Sequence, residues 1–300
     1  MISSIPAGSL TRLSRLLICT DLDRTLIPNG PQPESPGARR GFAALVARPE
    51  VVLAYVSGRD QKLVQKAIYQ YCLPRPDFVI GDTGTSIFQI DASSGEWSRQ
   101  AEWERRIAAD WGGRAHSAVK QALTTFNALR PQEFHKQNRF KSSYYVPLKG
   151  DRNRLSAEIL QRLGQHGLRS RLVWSVNEPA GVGLLDIIPG CASKLHAIEY
   201  LMQLHGFSLD QTVFCGDSGY DLDVLTSPLK SVLVGNSDPA VRQQAEELSW
   251  QNGNARQLYI AEGGYAGMNG YYTAGMLEGI AHYFPHTLAW MRLETDRQAS

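Results

Sequence analysis

Residues 16–26, Leu-Leu-Ile-Cys-Thr-Asp-Leu-Asp-Arg-Thr-Leu, constrain the fold of this chain more than any other stretch. The apolar run from Leu16 to Cys19 reads as a strand buried on both faces. It ends on two carboxylates, Asp21 and Asp23, followed by a Pro/Gly-rich loop from Pro28 to Gly37. Acidic side chains at the carboxyl end of a buried parallel strand stand where open α/β sheets bind ligands. Two carboxylates so close repel each other, so either one titrates high or a cation sits beside them.

The chain that follows keeps a strand–helix rhythm. Gly37 to Ala47 has helical apolar spacing at Phe42, Leu45 and Val46. Val51 to Val56 reads as a second buried strand ending at Ser57-Gly58-Arg59-Asp60. Ser57 suits either the N-cap of a helix over Gln61 to Tyr71 or a hydroxyl at the same sheet edge as Asp21. Phe78 to Ile80 reads as a third strand, followed by the turn Gly81-Asp82-Thr83-Gly84-Thr85. This is the pattern of a doubly wound, Rossmann-like parallel sheet.

From residue 88 to 189 the rhythm changes to an inserted α+β unit. Ile87 to Ile90 and Trp97 read as its first short strands, and Trp103 to Leu129 as helical. Arg139 to Leu148 alternates cleanly, with Phe140, Ser142, Tyr144 and Val146 on one face and Lys141, Ser143 and Tyr145 on the other. Asn153 to Gln165 reads as a helix, and Leu168 to Val176 and Leu184 to Ile188 as strands. Helices on one side of such a sheet leave its other face free, and Lys141, Ser143 and Tyr145 suit that polar face. The α/β pattern then resumes. Ser193 to Leu204 is a helix with Lys194 in its first turn, where the helix dipole disfavours a cation unless an anion faces it. Thr212 to Cys215 is a strand ending in Gly216-Asp217-Ser218-Gly219-Tyr220-Asp221, and Thr273 to Phe284 is a closing helix. The domain reading is residues 1–87 plus 190–300 for the core and 88–189 for the inserted cap.

Composition narrows the function. With 31 basic and 29 acidic residues the net charge is +2, which suits neither a nucleic-acid surface nor a polybasic membrane patch. No apolar run approaches a membrane span, and Met1 to Arg15 lacks a secretory apolar region. The four cysteines, with no Cys-x-x-Cys, point to buried reduced thiols in a cytoplasmic protein.

The ordered set Asp21-x-Asp23-x-Thr25, Ser57-Gly58-Arg59, Lys194 and Gly216-Asp217-x-x-x-Asp221 resembles the haloacid dehalogenase (HAD) superfamily of phosphohydrolases. The inserted unit resembles the type-IIB cap of that superfamily. A receiver-domain reading fails because there the reactive aspartate ends the third strand, whereas here the acidic pair ends the first. The resemblance implies Asp21 as nucleophile, Asp23 as general acid and base, Ser57 and Lys194 on the phosphoryl group, and Mg2+ held by Asp21, the Asp23 carbonyl and Asp217. Asp221 would assist through water or by orienting Lys194. Four carboxylates against one lysine give a site charge of about −3, which a cation and a proton on Asp23, its pKa raised by its neighbours, would offset. Tyr220 stands where the family usually has asparagine, and an Asp217–Asp223 pairing is the alternative.

Several segments are closer to the sucrose-phosphatase branch: Asp82-Thr-Gly-Thr-Ser-Ile87, Phe140-Lys-Ser-Ser-Tyr-Tyr-Val146, Asp186-Ile-Ile-Pro, Val234-Gly-Asn236 and the Ala274–His282 stretch. That likeness implies a phosphatase for sucrose 6-phosphate, with Ser57, Gly58, Arg59, Asp82, Thr85, Lys141, Ser143 and Tyr145 meeting substrate. Asn177 and Glu178 are weaker candidates. Trp97, Trp103 and Trp111 would pack the cap core or stack on sugar. Association with a sucrose-phosphate-synthase-type glycosyltransferase is the partner expected. The alternatives are another glycosyl phosphate, such as mannosylfructose phosphate, or a non-catalytic sugar-phosphate-binding module.

Overall fold

The computed structural model describes residues 15–177 and 180–291. The strands are, in chain order, β1 (Leu16–Thr20), β2 (Val51–Val56), β3 (Phe78–Gly81), β4 (Ser86–Ile90), β5 (Trp97–Arg99), β6 (Arg130–Pro131), β7 (Ser142–Val146), β8 (Ser170–Asn177), β9 (Val182–Pro189), β10 (Thr212–Gly216), β11 (Lys230–Leu233) and β12 (Leu258–Ile260). They form two sheets. The larger has the order β12-β11-β10-β1-β2-β3-β4-β5, and the smaller β6-β7-β9-β8.

The large sheet is parallel from β12 to β3. Its strands alternate between two apolar layers. Leu16, Ile18, Leu53, Tyr55 and Val213 pack under the helices Ala38–Val46 and Thr273–Tyr283. Leu17, Cys19, Ala54, Val56 and Phe214 face the helix Lys194–His205 on the other side. Both faces are thus covered, which is why β1 and β2 are nearly continuous apolar runs. Strand order runs outward from β1 in both directions, through β2 and β3 one way and through β10, β11 and β12 the other. The carboxyl ends of β1 and β10 therefore flank the switch point where open α/β sheets place ligands.

One expectation is corrected by the topology. Residues 86–90 and 97–99, read as the start of the inserted unit, extend the large sheet as antiparallel strands β4 and β5. Trp97 packs on Phe88 across that pair. A local reading identifies short strands here, but it carries no information about which sheet edge they join.

The small sheet is antiparallel throughout. The helices His116–Ala122 and Arg152–Gln165 cover one of its faces. Tyr144, Val146, Leu185 and Ile187 pack there, with Ile159 and Leu163 from the longer helix. Trp103 and Trp111 are both fully buried, so they pack rather than stack on a ligand. Their indole N–H groups donate to the Gly84 carbonyl and to Ser170. The four cysteines carry free thiols; Cys19 and Cys215 are buried as expected, whereas Cys72 is exposed. No helix among the described residues is long and apolar enough to cross a membrane.

Candidate active site

Parallel strands bring the sequence motifs to one edge. Asp21 follows β1 and its N–H donates to the Cys215 carbonyl at 2.9 Å, which ties the ends of β1 and β10 together. Ser57 follows β2 and Asp217 follows β10. Lys194 opens its helix, with Ser193 as N-cap accepting from the His196 N–H. Its ammonium lies 3.2 Å from Asp21 Oδ1 and 2.7 Å from Asp221 Oδ1. Carboxylate oxygens of Asp21, Asp217 and Asp221 all lie within 4.8 Å of one another, and all three residues are buried.

The electrostatics follow from that crowding. Burial works against charge on Lys194, but Asp21 and Asp221 outweigh it and hold the ammonium protonated well above its ordinary range. One ammonium does not balance three carboxylates. Burial raises the Asp21 pKa, Lys194 opposes this, and Asp221 and Asp217 add to the rise. Burial and the charge of Asp221 raise Asp217 to about 7, against a hydrogen bond from Thr25 and the charges of Arg24 and Lys194. An all-oxygen, buried, under-neutralised cluster is the donor set that suits a hard divalent cation such as Mg2+. Asp221 is the exception within it. Its Oδ2 accepts from the Asp217 and Ser218 N–H groups and the Ser218 hydroxyl, and its Oδ1 is taken by Lys194. Gly216 makes this arrangement fit, because a Cβ there would lie 2.8 Å from the Asp221 carboxyl.

The expectation for Asp23 changes here, and two alternatives that the sequence left open are resolved. Asp23 does not carry a raised pKa. Burial pushes upward, but two hydrogen bonds and the charge of Arg59, with a bond from Asn29, hold it below its ordinary value. Its carboxylate is engaged with Arg59 at 2.5 and 2.7 Å and stands outside the acidic cluster. Counting Arg59, and Arg24 at 3.5 Å from Asp217, four carboxylates face three cations rather than one. Ser57 is not the N-cap of its helix; Asp60 fills that place, accepting from the Leu63 N–H. The Ser57 hydroxyl instead accepts from the Arg59 N–H at 3.2 Å and lines the cavity. Asp223 pairs with Arg171 at 3.2 Å and is not in the cluster, which removes the Asp217–Asp223 alternative.

A cavity of about 450 Å³ lies between this edge and the small sheet. From below it is lined by Asp21, Asp23, Ser57, Gly58, Arg59 and Lys194. From above it is lined by Lys141, Ser143, Asp186, Gln132 and Lys136. The register pairs Ser143 with Asp186, and the Ser143 hydroxyl donates to that carboxylate. The turn after β3 joins the two sides. Asp82, Thr83 and Gly84 all have positive φ, of 52°, 62° and 93°. A Cβ on Gly84 would lie 2.5 Å from the Ser193 backbone, so only glycine lets the turn press against the start of the Lys194 helix.

That turn also redirects two expected substrate residues. Asp82 is buried and pairs with Lys141 at 3.0 Å, behind the cavity wall. Thr85 accepts from the Asn138 amide at 3.0 Å. Thr83, between them, is the residue that lines the cavity. Tyr145 shares the side of β7 that carries Ser143, but its phenol donates to Glu133 and its ring lies under Arg130, away from the cavity. Glu178 and the side chain of Asn177 lie outside the described residues. The sequence reading missed Arg24, Thr83, Gln132, Lys136 and Tyr220 as cavity residues, and took Asp186 only as part of a motif.

Comparison with known proteins identifies the family and the fold. A relative from Nitrosococcus oceani, described only as a HAD-like hydrolase, is 48% identical over 287 residues, covering 95% of this chain and 76% of that protein. Sucrose-phosphatase 1 of Nicotiana tabacum is 28% identical over 288 residues; the match takes in 91% of this chain and 60% of the tobacco protein. The solved sucrose-phosphatase of Synechocystis sp. PCC6803 superposes with a TM-score of 0.69 at 22% identity, covering 90% of this chain and 98% of that one, which shows the shared fold. The profile of the Sucrose-6F-phosphate phosphohydrolase family matches residues 14–284, and with the HAD core and cap in place the chain belongs to that family of phosphoric monoester hydrolases.

Proposed function

We propose that this protein hydrolyses a sugar phosphate monoester, with sucrose 6-phosphate as the substrate, to the free sugar and inorganic phosphate. One observation carries the reading. The Asp21–Lys194–Asp221 array, with Asp217 beside it, opens into a cavity whose roof carries the polar side chains of Lys141, Ser143 and Asp186. Family membership and the tobacco relative's name support the choice of sugar.

In this mechanism an Asp21 oxygen attacks phosphorus in line, and the bond from phosphorus to the sugar oxygen breaks as the aspartyl-phosphate forms. With Arg59 turned to the phosphoryl group, Asp23 takes up a proton from solvent, gives it to the departing sugar oxygen, then takes one from the water that hydrolyses the aspartyl-phosphate. The phosphoryl group draws Arg59 toward itself, which releases Asp23 for this work. Ser57 donates to a phosphoryl oxygen, and Lys194 offsets charge between Asp21 and that group. Mg2+ bound by Asp21, Asp217 and the Asp23 carbonyl would supply further positive charge to the phosphoryl oxygens. Asp221 holds Lys194 in place, since its own oxygens are already taken. The same reading places the enzyme in the cytoplasm beside a sucrose-phosphate-synthase-type glycosyltransferase.

The test is phosphate release over a panel of mono- and disaccharide phosphates. Sucrose 6-phosphate should be turned over best with Mg2+ and not at all in excess chelator. Absence of release from every sugar phosphate would favour a binding module instead, and full turnover in chelator would remove the metal from the scheme.

A further inference from the structure

Tyr220 is the departure that sequence reading singled out, and its position gives it a use. The cleft between core and cap has two lobes. The first is the cavity over Asp21; the second, of about 560 Å³, extends toward Arg152, Arg171, Trp174, Asp223 and Gln244. The side chains shared by both lobes are Thr83, Val173, Ser175, Lys194 and Tyr220. Val173 and Ser175 point from β8 in the cap; the other three rise from the core. Thr83 and Lys194 are buried, whereas Tyr220 is 39% exposed and is the largest group on the boundary. Its neighbour Asp221 is wholly buried and anchored to Lys194 and Ser218, so the backbone that carries Tyr220 is fixed. No described residue accepts or donates a hydrogen bond to its phenol. The backbone beneath the ring is therefore fixed, and no described residue bonds its tip.

We infer that Tyr220 is a specificity-determining residue whose ring walls off the second lobe and confines the leaving group to the first. The inference rests on the reading of the first lobe as the phosphate-ester site. The second lobe mixes apolar surface with hydroxyls and charges, with Arg152 over the Trp174 ring at 4.8 Å and Arg171 paired to Asp223. Its chemistry suits a further glycosyl unit, so the wall excludes oligosaccharide phosphates that the cleft would otherwise hold. A side chain as small as the usual asparagine leaves the two lobes joined.

The experiment compares kcat/KM for a phosphorylated trisaccharide with kcat/KM for glucose 6-phosphate, in wild type, Tyr220→Ala and Tyr220→Phe. The expected result is a rise of about tenfold or more in that ratio for Tyr220→Ala, with Tyr220→Phe within about twofold of wild type, since the ring and not the hydroxyl forms the wall. Two results overturn the inference. One is equal loss on both substrates in Tyr220→Ala, the mark of a residue that only shapes the Asp221 turn. The other is a ratio in Tyr220→Phe that moves as far as in Tyr220→Ala. If wild type cleaves 4-nitrophenyl phosphate but no sugar phosphate, the sugar reading fails separately. The wall is then tested by the ratio of 4-methylumbelliferyl to 4-nitrophenyl phosphate, which should rise in Tyr220→Ala and not in Tyr220→Phe.

Discussion

Two buried lysines face the cleft from opposite sides. Lys194, 5% exposed, is shared by Asp21 and Asp221 with Asp217 close by; Lys141, 7% exposed, pairs with Asp82 at 3.0 Å. Burial works against charge on both, and in both the carboxylates prevail, Asp82 and then Asp186 in the case of Lys141. The difference lies in the balance. The Lys141 pair joins cap to core as one cation on one principal anion. The Lys194 cluster keeps negative charge in excess, and such an excess in a buried place has value only if something positive arrives. The first arrangement holds parts together, and the second waits for chemistry.

Substitutions should separate the catalytic cluster from the Lys141 pair. Asp21→Asn should reduce kcat by about 10⁴-fold or more, since a neutral amide cannot form the phosphoryl intermediate, with the fold intact by circular dichroism. Ser57→Ala should lower kcat by about 10²-fold through loss of one donor to the phosphoryl group. Lys141→Ala should act first on stability, lowering it by about 3–5 kcal/mol in denaturant titration because Asp82 is left buried without its partner. Restoration of part of that loss in the Lys141→Ala/Asp82→Ala double variant would sharpen the comparison; a further additive loss would break it. Tyr145→Phe, whose phenol meets Glu133 rather than the cavity, should leave KM for the sugar phosphate within about twofold of wild type.

A pH titration probes the charge excess directly. Asp217 is raised from 3.8 to about 7, so the native state keeps a proton that the unfolded chain has lost between those values. Metal-free protein should therefore lose stability from this group as pH climbs from about 4 to about 7, and level off above. Mg2+ competes with that proton, so the rise in Tm on adding Mg2+ should grow over the same window. A Tm shift independent of pH would contradict the assignment of Asp217 to the metal.

The catalytic edge was legible because it is local in sequence. Asp21, Ser57 and Asp217 each follow a buried strand, and parallel pairing brings strand ends to one edge whatever the register of the side chains. Lys194 was legible as a cation at the unfavourable end of a helix. The cap was legible only in outline. The alternation from Arg139 to Leu148 identified the Lys141/Ser143 side, but the pairing of Ser143 with Asp186 depends on antiparallel register, which no local pattern states. Asp82 and Thr85 were assigned to substrate from the sucrose-phosphatase likeness and their place between core and cap, which says nothing of the backbone of the turn. Three successive positive-φ residues twist it so that Thr83 alone reaches the cavity. Arg59 was seen as a substrate contact, and its grip on Asp23, a residue 36 positions away, lay beyond sequence reading.

The central claim is that Asp21 becomes phosphorylated. Acid quenching of the Mg2+-loaded enzyme within a single turnover of sucrose 6-phosphate, followed by mass spectrometry of the peptide containing residue 21, tests it directly. The account requires a transient phosphoryl adduct on Asp21, absent in Asp21→Asn. Phosphate release at wild-type rate with no adduct on that peptide, or an adduct on another side chain, would contradict it.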